Sequence, residues 1–176
     1  MTPLEIQVVR FGDLPDTRRD ELAAAASHAF DRFEIVRRTV WATPDWSVLG
    51  LHEGRLAGFY NAIERTVQFD DRAVRVIGLN NLVVLPGERG CGIASRLLRE
   101  TMPMWFDAWG ARQGLLLCAD ALVPFYGTLG WQAVSSEVRY AQPGLPPQRW
   151  TARCMLLHPD RGPVAPGVID LDGLPW

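Results

Sequence analysis

The chain of 176 residues has the length of one ordinary domain, with 48% hydrophobic and 22% charged residues. This composition is typical of a folded globular protein and not of a disordered or fibrous one. All 18 basic residues are arginine, which excludes Schiff-base chemistry on lysine and lysine-dependent phosphate loops of the Walker type. The 20 acidic residues leave a net charge of −2, which argues against a nucleic-acid partner. We expect a single domain over residues 1–176.

The three cysteines, Cys91, Cys118 and Cys154, form no Cys-x-x-Cys pair, and an odd number does not suit a disulfide framework. The three histidines are also scattered, so no local cluster has the spacing of metal ligands. The N-terminus lacks a basic and a long apolar region, and no apolar run approaches the roughly 20 residues that cross a bilayer. These features predict a cytoplasmic protein with no metal and no membrane partner.

The hydrophobic pattern predicts an alternation of strands and helices. A strand and a helix come first, a second helical stretch follows, and three strands separated by tight turns predict an antiparallel meander. The predicted strands are residues 4–9, 46–51, 56–69, 74–85, 114–119, 131–134 and 152–157. The predicted helices are residues 17–30, 33–41, 92–109 and 123–129, with Pro103 kinking or interrupting the third. Residues 142–147 read as a loop, and the proline- and glycine-containing residues 159–176 as an irregular tail.

The residues from 82 to 95 carry the clearest chemical pattern, a strand that passes through a glycine-bearing loop into a helix. Gly90 and Gly92 let the backbone approach a ligand, and the N–H groups of the first helical turn can hold a phosphate. Arg89 adds a guanidinium whose donors match phosphate oxygens. A pyrophosphate is the expected ligand. Two alternatives are a loop that merely caps the helix and a dinucleotide-binding turn, although Ser95 stands where that turn needs its third glycine.

Two motifs resemble those of the GNAT N-acetyltransferase superfamily. Arg89, Gly92 and Ala94 match its acyl-CoA motif, and residues 124–131 (PFYGTLGW) match its second motif at the expected separation. The resemblance implies an α/β (α+β) GNAT acyl-CoA N-acyltransferase fold, with a mixed, mostly antiparallel central sheet flanked by helices. It also implies acetyl-CoA as the cofactor. The residues that it assigns to cofactor binding are Leu82, Val83, Val84, Arg89, Gly90, Cys91, Gly92, Ile93, Ala94 and Ser95.

The resemblance also implies two catalytic residues, Tyr126 and Asn80. The tyrosine of the second motif commonly sits beside the thioester sulfur in that superfamily, so Tyr126 is the expected donor of a proton to the departing thiolate. The alternative for Tyr126 is a packed aromatic ring whose hydroxyl bonds to the backbone.

Within the superfamily the chain looks most like the aminoglycoside 2′-N-acetyltransferases, because of the tyrosine motif, the long loop before the last strand and a terminal segment that ends in tryptophan. This narrower resemblance implies bacterial antibiotic resistance as the role. It assigns substrate binding to Trp176 with its carboxylate. Asp170 and Asp172 are added as substrate-binding residues because a polycationic aminoglycoside needs several carboxylates. The alternative is a tail whose tryptophan fills a surface groove.

One position departs from that subfamily. Its members place a glutamate on the strand before the phosphate loop, and the matching residue here is Asn80, which cannot accept a proton. Asn80 can still orient a water or the amine. Glu64, Asp31 and Glu34 are the other carboxylates considered as a base.

The sequence therefore predicts an enzyme that transfers an acetyl group from acetyl-CoA to a primary amine of a small molecule, with an aminoglycoside 2′-amine as the narrower candidate. The alternatives are a GNAT enzyme for a different amine and a protein that binds acyl-CoA without turnover. The expected partner is the small-molecule amine, and a homodimer is left open.

Overall fold

The computed structural model describes residues 3–160 and 165–176. By its internal contacts the chain forms two compact units. The first unit comprises residues 1–39, 43–62 and 80–100, and the second comprises residues 40–42, 63–79 and 101–176.

Ten strands and four helices make up the described part of the chain. The strands are β1 (Glu5–Arg10), β2 (Trp46–His52), β3 (Arg55–Phe69), β4 (Arg72–Val84), β5 (Gln113–Cys118), β6 (Gln132–Val134), β7 (Glu137–Tyr140), β8 (Gln148–Arg149), β9 (Arg153–Leu157) and β10 (Val168–Asp170). The helices are α1 (Asp16–Phe30), α2 (Glu34–Arg38), α3 (Ile93–Asp107) and α4 (Val123–Gly127). No helix among the described residues has the length and apolar character of a membrane span.

Each predicted strand and helix is present, with ends that shift by a few residues in most cases. The main change is α2, which is shorter than the predicted residues 33–41. The predicted interruption at Pro103 is wrong, because α3 continues through it from Ile93 to Asp107. Pro103 is exposed, while the fully buried Leu97, Leu98 and Trp105 anchor the helix on both sides of it. Burial of that apolar face offsets the one backbone hydrogen bond that proline removes.

The first unit is built on an antiparallel pairing of β1 with β2 and of β2 with β3. Strand β2 is buried along nearly its whole length, as its almost continuously apolar sequence requires. Helix α1 is rich in alanine and buries Leu22. The core cluster of this unit consists of Leu14, Leu22, Leu49, Leu51, Leu56, Phe59 and Val83.

The second unit contains strands in the order β6-β9-β5-β4-β3-β10-β7-β8, to which β3 contributes residues 63–69 and β4 residues 72–79. The pairs β4–β5 and β10–β7 are parallel, whereas β5–β9, β6–β9, β10–β3 and β7–β8 are antiparallel. The predicted mixed, mostly antiparallel sheet is therefore confirmed. Its core includes Phe69, Val76, Leu115, Ile169 and Trp176.

The C-terminal residues differ from the irregular tail that their proline and glycine content predicts. Residues Val168–Asp170 form β10, which lies between β3 and β7. The Asp70 carboxylate holds the start of this strand, since it accepts hydrogen bonds from the N–H groups of Gly167 (3.2 Å) and Val168 (2.8 Å). Ile169 is fully buried. The prediction of an irregular tail fails here because a strand of three residues, held by a partner strand on each side, is too short to show a periodic apolar pattern in the sequence. Residues 161–164 of the predicted tail lie outside the described residues.

Candidate functional site

A loop of residues 85–92, called here the glycine loop, connects β4 to α3. It opens with a hydrogen bond from the Leu85 N–H to the Ala57 carbonyl (2.9 Å) and a short 3₁₀ turn at Pro86–Glu88. Gly90 and Gly92 then have φ angles of +79° and +74°, which L side chains rarely adopt. These two glycines turn the chain so that α3 begins at Ile93.

The outer face of the glycine loop is open. A Cβ atom added at Gly90 or Gly92 would meet no other atom within 4 Å, and Cys91 between them is exposed. The Arg96 N–H donates the first hydrogen bond of the helix to the Gly92 carbonyl (2.9 Å). The N–H groups of the preceding first turn, at Ile93, Ala94 and Ser95, have no acceptor within a helix and carry its positive dipole end. Residues 90–95 thus form an open cradle whose polarity suits an anion.

Arg89 is exposed beside this cradle. Its Nε donates a hydrogen bond to the Val84 carbonyl (3.2 Å), which fixes the guanidinium to the end of β4. Leu82 and Val84 are half-buried and Val83 is buried, so this end of the strand lines the first unit's core on one side.

A close packing contact that the sequence reasoning missed supports the same loop. A Cβ added at Gly58 on β3 would lie 2.9 Å from the Val83 carbonyl oxygen and 3.1 Å from Cγ2 of Ile93. Only glycine lets β3 approach both the end of β4 and the start of α3 so closely. The signal in the sequence was a glycine inside a strand, which often marks such an approach.

Strand β4 changes character at Asn80 and Asn81. Its ladder with β5 ends at Leu79 opposite Leu116, while β4 continues to Val84. Asn80 is 9% exposed, and Asn81 has a φ of +50°. Asparagine is one of the few residues that tolerate a left-handed conformation, so this pair places an irregularity in the strand. The sequence analysis did not predict the left-handed conformation of Asn81. The available signal was the pair of adjacent asparagines in an otherwise apolar strand.

Tyr126 lies on α4 in the second unit, whereas Asn80 and the glycine loop belong to the first. The tyrosine is 6% exposed, and its ring contacts those of Phe125 and Trp131, with centroid distances of 5.0 Å and 6.1 Å. Burial raises the pKa of the Tyr126 phenol above its usual range, and Cys118 raises it further. The phenol therefore carries its proton at neutral pH, as a proton donor must.

Two buried thiols belong to the same unit as Tyr126. Burial raises the pKa of Cys118 to about 11, with Asp120 adding to the rise and Arg153 opposing it. Burial also raises the pKa of Cys154 to about 12, and Cys118 adds to that rise. Both side chains are therefore neutral thiols near pH 7 and behave as apolar core groups.

Two of the three carboxylates considered as a base are held in ion pairs with arginine. The Glu64 carboxylate accepts a charged hydrogen bond from Arg75 at 2.6 Å, and Glu34 pairs with Arg38 at 2.7 Å on α2. Asp31 is exposed just after α1. No group of three or more His, Cys, Asp or Glu side chains in residues 3–160 and 165–176 is arranged to hold a metal ion.

The predicted substrate residues occupy the C-terminal segment, residues 165–176. Trp176 is 3% exposed, and its Nε1 donates a long hydrogen bond to the Leu115 carbonyl (3.4 Å) in the core of the second unit. The ring is enclosed by the protein and offers no open face to a substrate. Asp170 is half-buried, and its Oδ1 accepts a hydrogen bond from the N–H of the exposed Asp172 (2.9 Å).

Comparisons with known proteins agree with this architecture. A family profile described as an acetyltransferase (GNAT) domain matches residues 14–134, more than half of the chain. The chain therefore belongs to the GNAT acetyltransferase family, which confirms the predicted superfamily and makes it an acyltransferase by class. A comparison with curated proteins found no match.

Several solved structures share the fold at low sequence identity. ElaA of Escherichia coli is 17% identical with a TM-score of 0.65, over 89% of this chain and 100% of that chain. YhbS of Escherichia coli, solved in complex with CoA, is 16% identical with a TM-score of 0.66, over 98% and 91%. A GNAT family acetyltransferase from Brucella melitensis, solved with acetyl-CoA, is 17% identical with a TM-score of 0.57, over 92% of each chain. These likenesses show the fold, and they give no support to the aminoglycoside 2′-N-acetyltransferase subtype.

Proposed function

We propose that the protein transfers the acetyl group of acetyl-CoA to a primary amine of a small molecule. The observation that carries this proposal is the open glycine loop, with left-handed Gly90 and Gly92 leading into the N-terminus of α3 within a GNAT fold. A helix N-terminus that is accessible to an anion and flanked by an arginine is chemically suited to the pyrophosphate of CoA.

The residues that would hold the cofactor follow from that geometry. The N–H groups of Ile93, Ala94 and Ser95 would donate to phosphate oxygens, and Arg89 would add a charged donor. The backbone of β4 from Leu82 to Val84, beyond the end of its ladder with β5, has peptide groups suited to pairing with the amide-bearing pantetheine arm. Bound acetyl-CoA supplies the acetyl group as a reactive thioester.

Two side chains are assigned roles in the transfer. Tyr126 holds its proton at neutral pH and is the proposed donor to the sulfur as negative charge develops there. Asn80 has no basic oxygen, so its amide is proposed to orient the attacking amine or a water. The amine then arrives in its neutral form, and enzyme activity should rise with pH as the fraction of neutral amine grows.

The narrower candidate, an aminoglycoside 2′-amine, now rests on Asp170 and Asp172 alone. Their carboxylates are suited to ammonium groups, but the buried indole of Trp176 removes the stacking surface for a sugar. A general primary amine is therefore the acceptor class that we propose, and aminoglycosides become members of the panel that tests it.

The test measures release of free thiol from acetyl-CoA with a panel of amines that includes kanamycin and gentamicin. Thiol release with a small amine supports the proposal, and release with the two aminoglycosides would support the narrower candidate. Tight CoA binding without thiol release across the panel would instead favour a non-catalytic acyl-CoA-binding protein.

A Tyr126→Phe variant tests the proton donor, because it keeps the ring contacts and deletes the hydroxyl. We expect kcat to fall by about 10²-fold with the CoA Kd unchanged. Unchanged kcat would show that solvent protonates the thiolate, and an equal loss of CoA affinity would mark Tyr126 as a packing residue.

A further inference from the structure

A cleft in the second unit lies outside all the groups assigned to acetyl transfer. It has a volume of about 550 Å³, which falls within the range of small-molecule sites, roughly 300–1,000 Å³. Its walls come from the beginning of β4, the end of α3, the beginning of β5 and the residues that follow β9.

Two residues that line the cleft each carry a buried polar atom without a partner among the described residues. Gln113, the first residue of β5, is 6% exposed, and its Oε1 makes no hydrogen bond among the described residues. The Nε2 atom of His158 is buried and likewise without a partner in that part of the chain. An unpaired buried polar atom destabilises the folded protein, so the Gln113 oxygen favours a ligand that donates a hydrogen bond to it.

The charged residues of the cleft have both signs. Arg72 and Arg112 are exposed and form no ion pair with any residue that the structure describes, so they can receive an anionic group. Asp160 lines the same cleft and, together with the Gln113 oxygen, favours a group with N–H donors. A ligand that is only an anion would leave the Asp160 carboxylate without a partner, whereas a zwitterion satisfies both signs.

The rest of the lining is apolar. Phe69 is buried in the core, Val74 and Phe106 are half-buried, and all three line the cleft. They provide a surface against which a compact apolar group can be removed from water.

We propose that this cleft is a second ligand site, for a small amino acid with an apolar side chain. Its carboxylate binds Arg72 and Arg112, its ammonium group donates to the Gln113 oxygen and to Asp160, and its side chain packs on Phe69, Val74 and Phe106. The site requires no acetyl-CoA, since the glycine loop belongs to the other unit.

The first experiment uses three probes that differ by one group: L-phenylalanine, 3-phenylpropionate, which lacks the ammonium, and 2-phenylethylamine, which lacks the carboxylate. Titrations without acetyl-CoA are followed by the NMR signals of the Gln113 carboxamide and the His158 ring. The proposal expects L-phenylalanine to shift both signals and to bind at least about tenfold more tightly than either analogue. Equal binding of all three probes would overturn the proposal. The absence of any NMR shift up to millimolar concentrations would also overturn it, because the cleft would then hold only water.

The second experiment removes the anion-binding groups. Arg72→Gln and Arg112→Gln should each weaken L-phenylalanine binding by about tenfold. Arg55→Gln, at another exposed arginine, is the matched control and should leave it unchanged. Gln113→Met keeps the length of the side chain without its polar atoms and should weaken L-phenylalanine more than 3-phenylpropionate. Unaltered L-phenylalanine affinity in both arginine variants would refute the assignment, and CoA binding by every variant serves as the check that it is folded.

Discussion

The sequence predicts both the glycine loop and the C-terminal segment as binding segments. In the structure the loop is open, whereas the apolar side chains of the C-terminal segment are buried in the core. In the loop, the space beside Gly90 and Gly92 is open, and the first N–H groups of α3 have no acceptor within the helix. In the C-terminal segment, Ile169, Leu171 and Trp176 are each at most 3% exposed. A binding segment keeps polar groups available to a ligand, whereas a structural segment uses its groups within the protein.

Several contacts explain why the C-terminal segment is structural. The Ala42 N–H donates to the Pro175 carbonyl (2.9 Å), and the Arg65 Nη1 donates to the Leu174 carbonyl (2.6 Å). The Arg65 guanidinium also lies 5.1 Å from the centroid of the Trp176 ring. Loss of this segment would therefore leave buried donors unpaired as well as expose the core.

The largest expected effect is on folding, from Trp176→Ala. Because the ring is buried in the second unit's core, its removal should lower the free energy of unfolding by about 3–5 kcal/mol. Urea unfolding followed by circular dichroism measures the loss. Trp176→Phe, which retains an aromatic ring, should cost clearly less. A loss below about 1 kcal/mol in Trp176→Ala would restore the view of this residue as part of a surface tail.

Gly92→Asp should affect the cofactor and not the core. The new carboxylate would stand at the positive end of α3, where it would occupy the phosphate cradle and repel the anion, so we expect CoA affinity to fall by at least about 100-fold. Isothermal titration calorimetry measures the Kd. Gly144→Asp is the matched control, since Gly144 also has a left-handed φ (+72°) and open space around it. If both variants bound CoA as the wild type does, the glycine loop would not be the phosphate site.

Gly78→Ala tests the packing beneath the C-terminal segment. A Cβ at Gly78 on β4 would lie 2.1 Å from Cε2 of Trp176, so the indole must shift, at a cost of about 1–3 kcal/mol. In the Trp176→Ala background the same change should cost little, because the ring is gone. A double-mutant cycle of unfolding free energies measures this coupling, and additive effects would contradict it.

The smallest expected effect is a difference in thiol reactivity. At pH 7.5 the pKa values of about 11 and 12 leave roughly one Cys118 thiolate in a thousand or fewer, and fewer still at Cys154. Iodoacetamide should therefore modify the exposed Cys91 first, as read by mass spectrometry of peptides. Saturating CoA should slow that modification several-fold by covering the glycine loop. Equal labelling with and without CoA would separate Cys91 from the cofactor site.

The sequence by itself determined the strands, the helices and the course of the glycine loop, and its two motifs identified the family, whose fold implied the mixed sheet. These features depend on local patterns: alternating apolar residues define strands, and Gly90 and Gly92 permit a turn that other residues resist. The helix that follows has a clear apolar face, so the strand–loop–helix arrangement could be predicted without knowing what packs against it.

Only the tertiary structure decided the role of the C-terminal segment. Its three-residue strand and its tryptophan carry no local pattern, and their positions depend on Asp70, on the edges of β3 and β7, and on the space above Gly78, all distant in sequence. The same reason explains why the left-handed Asn81 and the cleft around Gln113 were not predicted. Burial and hydrogen-bond pairing arise between segments, and a single sequence does not contain the distances between them.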